Sequence, residues 1–347
     1  MTVGLGIVGL ASYYSHYYAN QAAAAGDVEV VALVPGERTD EQLAKVGRPS
    51  ASEFATEYDC TIHDDLDGLV ADEAVDAAVV SSLSTRRADD AVTVLESGRP
   101  VLTGKPAAAT AEGADRIAAA AERADVPAVT TTPHRFDEAV QSVHERIADG
   151  VIGDVLRAKT AVYHAKPGRE GIKYGDGHAP EQVGTTYTMG FYTTDALLWM
   201  VDDTPERVSG ELANTNTPYQ EHPDLGSATV RFEDGAIGTM TITMANDHGP
   251  RYGWDVEVVG TDGMLRSHHT GHEGILWSGE NRRTAEVFGR TLDPVLDKTF
   301  RAFLDSVVDE AGPHAVAPSG DSVGDAIALC TAWENAAESG GVATYDR

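Results

Sequence analysis

Three glycines near the start of the sequence stand at the spacing that binds the phosphates of a dinucleotide in many proteins. They are Gly4, Gly6 and Gly9, in the segment VGLGIVGLASYYSHYY. Such glycines bind phosphate only where a strand ends and a helix begins, because the helix N-terminus supplies unpaired amide groups. With Gly4 as the first glycine of the turn, the Ile-Val pair after Gly6 would line the phosphate, although it has the composition of a strand interior. We therefore interpret the match that starts at Gly4 as accidental.

The phosphate-binding turn is instead expected between Gly9 and Tyr14, directly after a first strand over residues 3–8. In this register Gly9 makes the tight bend. Ala11 adds a methyl group where backbone would approach a pyrophosphate, and Tyr14 replaces the glycine that lets helix and strand pack closely. The turn is therefore a degenerate version of the pattern, with one glycine of the usual three.

The second predicted strand ends in the segment ALVPGER, which bears on the choice between NAD and NADP. Proteins that prefer NAD usually have an acidic residue at this strand end, and Pro35 occupies that position. Arg38 follows, and it could bind the 2′-phosphate of NADP or simply be a surface arginine. NADP is therefore slightly favoured over NAD.

Apolar runs and helical patterns alternate along the first 130 residues, which predicts parallel strands joined by right-handed crossovers, a doubly wound α/β sheet. The predicted strands are Val3–Val8, Val28–Val34, Thr61–His63, Val75–Ser81, Pro100–Thr103 and Val126–Thr130. From residue 131 the apolar runs are longer and alternate with polar residues, and EDGA at 233–236 is a tight hairpin signal. The sequence therefore predicts two domains, 1–130 and 131–347, the second an α+β domain with a predominantly antiparallel sheet.

The charge is strongly acidic, with 55 acidic and 26 basic residues and a net charge of −29. We interpret it as a solvated acidic surface typical of a salt-adapted cytoplasm, and it argues against a nucleic-acid partner. No apolar run is long enough to span a membrane, so a cytoplasmic location is expected.

Two cysteines, Cys60 and Cys330, cannot form a disulfide framework. The HHTGH segment at 268–272 lacks a carboxylate partner, and no metal site is expected.

Four segments, in this order, resemble the Gfo/Idh/MocA oxidoreductase family. They are VDAAVVSSLSTRRADDAVTVLESGRPVLTGKPAAAT at 75–110, TTPHRFDEAVQSVHERIADGVIGDVLRAKTAVYH at 131–164, GTTYTMGFYTTDALLWMVDDTPERVSG at 184–210 and GDSVGDAIALCTAWENAAESGG near the C-terminus. The resemblance covers essentially the whole chain. It implies a Rossmann domain, NAD or NADP as cofactor, sugars, polyols or related carbonyl compounds as substrates, and homodimers or homotetramers that associate through the C-terminal sheet.

The chain departs from the family's motifs at several positions. Gly104 replaces the glutamate of the Glu-Lys-Pro segment, and Arg87 stands where a histidine is common. In the second catalytic cluster Thr188 replaces an aspartate and Tyr192 replaces the histidine, whereas Asp195 is retained. Tyrosine at the histidine position also occurs in relatives of glucose–fructose oxidoreductase, so this change is compatible with the family's chemistry.

The resemblance implies a catalytic set of Lys105, Tyr192 and Asp195. Lys105 would donate to the substrate oxygen, Tyr192 would transfer the proton, and Asp195, one helical turn later, would bind substrate hydroxyls. A core aromatic and a local ion pair remain open alternatives for Tyr192 and Asp195, and Arg135 is expected to form a structural pair. The expected cofactor contacts are Gly9, Ala11, Ser12, Tyr13, Arg38, Ser82 and Lys105. The expected substrate contacts are Lys105, His164, His178, Thr188, Tyr192 and Asp195.

The sequence thus favours an NAD(P)-dependent oxidoreductase of a sugar, polyol or related carbonyl compound. Two alternatives remain because of the degenerate turn and the changes at Gly104 and Thr188. One is a ligand-binding or regulatory protein on the same scaffold. The other is an enzyme, such as a lyase, that reuses the cleft without redox chemistry.

Overall fold

The structure is a computed structural model that describes residues 2–10, 12–45, 47–165, 183–217, 222–246, 252–268, 273–278, 284–288, 295–308 and 321–347. The chain divides into two compact units. The first contains the described residues up to Thr131, Val183, and the described residues from Leu296 to Gly324. The second contains the described residues of 132–165, 184–295 and 325–347.

In the described part of the first unit, six parallel strands form one sheet in the order β3-β2-β1-β4-β5-β6. The strands are β1 (Val3–Val8), β2 (Val28–Val34), β3 (Thr61–Ile62), β4 (Ala77–Val80), β5 (Val101–Thr103) and β6 (Ala128–Thr130). The helices between them are α1 (Tyr13–Ala25), α2 (Asp40–Lys45), α3 (Ala51–Tyr58), α4 (Leu66–Ala71), α5 (Ser84–Glu96) and α6 (Ala111–Ala124). The strand order confirms the predicted doubly wound α/β sheet.

Gly4 and Gly6 lie inside β1, as the sequence analysis predicted, and all six residues of this strand are buried. A Cβ atom on Gly4 would lie 1.8 Å from the carbonyl oxygen of Ala74, and one on Gly6 would lie 3.2 Å from the Leu69 side chain. Both glycines are therefore explained by close packing around a central strand.

In the described part of the second unit, nine strands form a mixed sheet in the order β14-β13-β12-β11-β7-β10-β9-β8-β15. These strands are β7 (Val155–Ala165), β8 (Pro205–Ala213), β9 (Leu225–Phe232), β10 (Ile237–Asn246), β11 (Tyr252–Gly260), β12 (Gly263–His268), β13 (Glu273–Ser278), β14 (Thr284–Phe288) and β15 (Val342–Thr344). Neighbours pair antiparallel except β7 and β10, which confirms the predicted, predominantly antiparallel sheet. The EDGA segment makes the β9–β10 hairpin, with Gly235 at a φ of 98°.

The remaining helices are α7 (Glu138–Ala148), α8 (Phe191–Val201), α9 (Val295–Val308) and α10 (Asp321–Ser339). A 3₁₀ turn over Pro133–Phe136 precedes α7, and a π-type turn over Thr186–Gly190 precedes α8. Helix α8 packs on β7 and β10. Helix α9 lies beyond the predicted boundary at residue 130 but packs in the first unit, where Arg301 pairs with Asp27 at 2.9 Å. No helix in the described ranges is both long and apolar enough to cross a bilayer.

Candidate functional site

The loops after β1, β2 and β4 converge at the carboxyl edge of the first unit's sheet. Gly9 has a φ of 83°, and a Cβ atom on it would lie 2.5 Å from the Cα atom of Ser82. Gly36 has a φ of 84°, and a Cβ atom on it would lie 3.1 Å from the Cα atom of Gly9. Only glycine combines this φ with so close an approach. Gly9 therefore lets the chain turn from β1 towards α1 directly against Ser82.

Helix α1 begins at this turn. Ser12 is its N-cap, and the Oγ atom of Ser12 accepts a hydrogen bond of 3.3 Å from the backbone N–H of Tyr14. The hydroxyl of Ser15 donates to the carbonyl of Ser12 at 2.8 Å, which stabilises the first turn of the helix. Tyr13 is 40% exposed, with the guanidinium of Arg48 over its ring. The geometry at the helix N-terminus is therefore of the type that binds an anion. Ala11 lies outside the described residues.

The residues at this edge fit a dinucleotide. The hydroxyl of Ser81, directly after β4, is buried and has no hydrogen-bond partner among the described residues. It lies beside the Gly9 turn, since the Ser81 N–H donates to the carbonyl of Val8 at 2.7 Å. The group could be held by the Gly9 turn, the capped N-terminus of α1 and the Ser81–Ser82 pair.

The end of β2 carries both acidic and basic side chains. Pro35 stands at the strand end, as the sequence indicated, and Glu37 lies 3.6 Å from the guanidinium of Arg86. Arg38 is half-buried just beyond. The carboxylate nearest to the strand end is therefore already next to a cation, while Arg38 adds a second positive charge.

Lys105 follows β5, and its neighbour Gly104 is enclosed by two large side chains. A Cβ atom on Gly104 would lie 3.1 Å from the ring of Tyr14 and 3.4 Å from the guanidinium carbon of Arg87. Arg87 is fully buried and donates to the carbonyls of Ser82, at 2.7 Å, and of Pro106. Arg87 therefore ties the loop after β4 to the loop that carries Lys105. Tyr14, Arg87 and Gly104, each an unexpected residue in its motif, therefore pack next to one another.

A second cluster lies in the second unit around Asp195 on α8, a side chain with no solvent exposure. The guanidinium of Arg135 donates to both Asp195 oxygens, at 2.7 and 2.8 Å, and the Nε2 atom of His134 lies 2.6 Å from Oδ2. Burial opposes ionisation, but the charge of Arg135 and the hydrogen bonds outweigh it and hold the pKa of Asp195 well below its usual range. Arg135 also lies over the Trp199 ring. The carboxylate is thus fully paired within the protein.

His134 joins this ion pair to Tyr192. Its side chain is 1% exposed, and its ring lies edge-on to those of Tyr192, at 5.4 Å between centres, and Trp254, at 6.3 Å. Its Nδ1 atom is buried without a hydrogen-bond partner in the described part of the chain. The sequence analysis gave His134 no role, because its partner Asp195 is 61 residues away. A histidine beside the arginine expected to pair was the only available signal.

The other expected site residues lie in varied environments. Thr188 is buried in the turn before α8, where its hydroxyl lies 3.5 Å from the carbonyl of Thr185. His164 is half-buried near the end of β7. His178 lies outside the described residues. Within those residues no group of histidine, cysteine and carboxylate side chains could hold a metal ion.

Two family models match the chain in succession. The model described as an oxidoreductase family with an NAD-binding Rossmann fold matches residues 3–132, and the GFO/IDH/MocA C-terminal domain model matches residues 140–266. Together they cover most of the chain.

Relatives with different named activities are found. Inositol 2-dehydrogenase of Paracoccus denitrificans is 29% identical over 65% of this chain and 64% of its own length, just under two-thirds. The 2,7-anhydro-N-acetylneuraminate hydratase of Escherichia coli is 23% identical over 61% of this chain and 57% of its own. A solved levoglucosan dehydrogenase, in complex with NADH and levoglucosan, matches with a TM-score of 0.78 and 16% identity over the whole of both chains. The structural likeness supports the fold.

Proposed function

Since the chain belongs to the GFO/IDH/MocA oxidoreductase family, we propose that it transfers hydride between a nicotinamide cofactor and a sugar, polyol or related carbonyl compound. The observation that carries the proposal is the turn at Gly9, where three strand ends and the N-terminus of α1 meet. This is the position at which doubly wound sheets bind dinucleotides. The loss of two glycines from the usual pattern leaves this convergence intact.

The proposed catalytic groups are Lys105 and Tyr192. In the oxidising direction the substrate loses the carbon-bound hydrogen with its electron pair and the proton of its hydroxyl. The nicotinamide, when bound, would supply the acceptor for the hydride. Tyr192 takes the hydroxyl proton, and the ammonium of Lys105 donates to the substrate oxygen while charge develops on it. Asp195 is assigned a positioning role, because both of its oxygens are occupied by Arg135 and His134.

Substrate contacts are proposed for Lys105, Thr188 and Tyr192, with His164 and His178 as further candidates. Thr188 replaces a carboxylate of the family pattern, so it can donate or accept a neutral hydrogen bond from a substrate hydroxyl. Assays with a panel of sugars and polyols would identify the substrate.

NADP is the proposed cofactor in preference to NAD. Support comes from Arg38, half-buried directly after β2, and from the ion pair between Glu37 and Arg86, which offsets the carboxylate closest to that strand end. A 2′-phosphate carries up to two negative charges and would gain from both cations.

A homodimer or homotetramer formed through the C-terminal sheet belongs to the same proposal. In β9 every second residue is exposed along most of the strand, and Leu225 and Ile237 leave 38% and 41% of their surface exposed. Light scattering is expected to give a multiple of the chain mass, and the double variant Leu225→Glu, Ile237→Glu is expected to have a lower mass in solution.

A cytoplasmic location is also proposed, and two unpaired cysteines, Cys60 and Cys330, are compatible with a reducing compartment.

Titration with NADH and NADPH tests the proposal against both alternatives. The purified protein is expected to bind NADPH and to reduce NADP when a polyol substrate is supplied. No binding of either nucleotide would contradict the proposal. Tight binding without any redox turnover, combined with water addition or elimination on an unsaturated or anhydro sugar, would favour a non-redox enzyme. The Escherichia coli relative is named a 2,7-anhydro-N-acetylneuraminate hydratase. Gly9→Val is the matched negative control for binding.

A further inference from the structure

His134 is the buried titratable residue that the proposed catalytic set leaves unused. Its Nε2 atom lies 2.6 Å from Oδ2 of Asp195, and the Nδ1 atom is buried without a partner in the described part of the chain. Leaving a buried polar atom unpaired is unfavourable, so such an atom usually serves a ligand, a water or a transient proton. We therefore looked for a partner that Nδ1 would acquire only during the reaction.

The state of the ring follows from Asp195. Its carboxylate is ionised, because the bidentate contact with Arg135 stabilises the charge, and a carboxylate can only accept hydrogen bonds. The Nε2 atom of His134 must then carry the proton and donate it. In the neutral ring Nδ1 is consequently the basic nitrogen with a free lone pair. The arrangement is that of a carboxylate fixing the tautomer of a catalytic histidine.

Tyr192 is the neighbour that can use this base. The two rings lie edge-on with centres 5.4 Å apart, and Tyr192 is 3% exposed. A phenol has a pKa of about 10 and is a poor base near neutrality unless its own proton can leave. Nδ1 has no direct hydrogen bond to the phenol oxygen, so a proton would pass between these contacting rings through one water.

We propose that His134 is a proton-accepting catalytic residue, forming a relay from the substrate hydroxyl through Tyr192 to His134 beside the ionised Asp195. This inference rests on the proposed function. The substrate O–H bond breaks as its proton joins the Tyr192 oxygen. The phenol O–H bond breaks as its proton joins Nδ1, and the carbon-bound hydrogen leaves with its electron pair to the nicotinamide. The products are a carbonyl compound, the reduced cofactor and an imidazolium paired with Asp195.

The charged and titratable side chains that the structure records around this relay are Asp195, Arg135 and Tyr192, with His144 next to Arg135 across the Trp199 ring. Trp254 covers the His134 ring with apolar surface. A proton arriving at Nδ1 turns the ring into an imidazolium whose Nε2–H still donates to the Asp195 carboxylate. The same cluster compensates for the histidine that the family pattern has at 192 and this chain lacks.

The test is the pH profile of His134→Gln, a variant whose amide can still donate to Asp195 but offers no base. We expect kcat to fall by about 10²- to 10³-fold and the acidic limb of the profile to disappear, with the Kd of NADPH unchanged. His144→Gln is the matched control, since His144 stacks on Trp199 in the same unit without touching Asp195. The double variant with Tyr192→Phe should lose little more activity than either single variant.

Unchanged kcat and an intact acidic limb in His134→Gln would overturn the relay while leaving the proposed function standing. No nicotinamide turnover by the wild-type protein would overturn both. If the variant does not fold, kcat of the wild-type enzyme is measured in mixtures of light and heavy water (a proton inventory), and its dependence on the heavy-water fraction tests the relay. A curved inventory, with two protons in flight, supports the relay, and a linear inventory overturns it.

Discussion

The ring of Tyr14 fills the space beside Gly104, where a Cβ atom would lie 3.1 Å from its Cδ2 atom. Gly104 departs from the family's lysine-bearing segment, and Tyr14 departs from the dinucleotide-binding fingerprint. The guanidinium of Arg87 borders the same space, 3.4 Å from that Cβ position, so the departures are parts of one packed arrangement. The changes therefore do not by themselves indicate a decayed cofactor site.

Replacing Gly104 by glutamate, the residue of the family pattern, is expected to destabilise the protein by about 1–3 kcal/mol through overpacking against Tyr14. In a Tyr14→Ala background the same change should cost less, because the ring is gone. Urea unfolding of the four proteins in this double-mutant cycle measures the coupling. Purely additive costs would show that the two positions are independent.

Asp195→Asn is expected to lower the free energy of unfolding at pH 7 by about 3–5 kcal/mol, because it leaves Arg135 and His134 buried without a charged partner. The pKa of Asp195 is depressed in the folded protein, so its stabilising effect is complete above its unfolded value of about 4. The effect is lost as the pH falls towards the folded value. The difference between wild type and variant should therefore narrow under strong acid.

Unfolding curves across the acidic range measure this difference. Asp149→Asn, at an exposed carboxylate after α7, is the control and should leave both the stability and its pH dependence near the wild type. A gap between wild type and Asp195→Asn that stays constant down to the most acidic pH would contradict the assignment of an ionised, paired Asp195.

Arg38→Ala is expected to raise the Kd of NADPH about tenfold and to leave the Kd of NADH within twofold, because only NADPH carries the 2′-phosphate. Fluorescence titrations at one fixed ionic strength measure both constants, since salt screens the interaction. Arg301→Ala, whose ion pair with Asp27 lies elsewhere in the first unit, is the matched control. Equal losses for both nucleotides would argue for a structural role of Arg38.

The melting temperature is expected to rise as KCl increases from low to molar concentration. With a net charge of −29, repulsion between surface carboxylates opposes the compact state, and the screening length falls from about 10 Å at 0.1 M to about 3 Å at 1 M. Calorimetry over a salt series measures the effect. A melting temperature that is flat or falls with salt would contradict the interpretation of the acidic surface as a salt adaptation.

The elements with clean periodicity were predictable from the sequence. Val3–Val8 and Val28–Val34 are buried strands with continuous apolar runs, and Ala111–Ala124 has a capping threonine and a single apolar face. The sequence analysis missed β12 (Gly263–His268), β13 (Glu273–Ser278) and β14 (Thr284–Phe288). These strands are short and carry polar residues, and each depends on pairing with the strand before it.

The candidate site was only partly predictable. Motif order indicated Lys105, Tyr192 and Asp195, because each follows or begins an element that the sequence defines. The pairing of His134 with Asp195 and the contact of Arg87 with the lysine-bearing loop join residues far apart in the chain. Beyond the position of His134 next to an arginine expected to pair, the sequence does not indicate such contacts, since their geometry arises only when the elements pack.

The central claim, hydride transfer by this chain, is tested most directly by assaying nicotinamide absorbance with a panel of sugars and polyols. Wild type, Lys105→Met and Tyr192→Phe are compared at saturating NADP, each with its own NADPH Kd measured. The account predicts turnover by the wild type on at least one polyol, with kcat reduced at least 10²-fold in both variants and little change in NADPH binding by Tyr192→Phe. NADPH binding by the wild type with no turnover on the panel, or turnover that survives both substitutions, would contradict it.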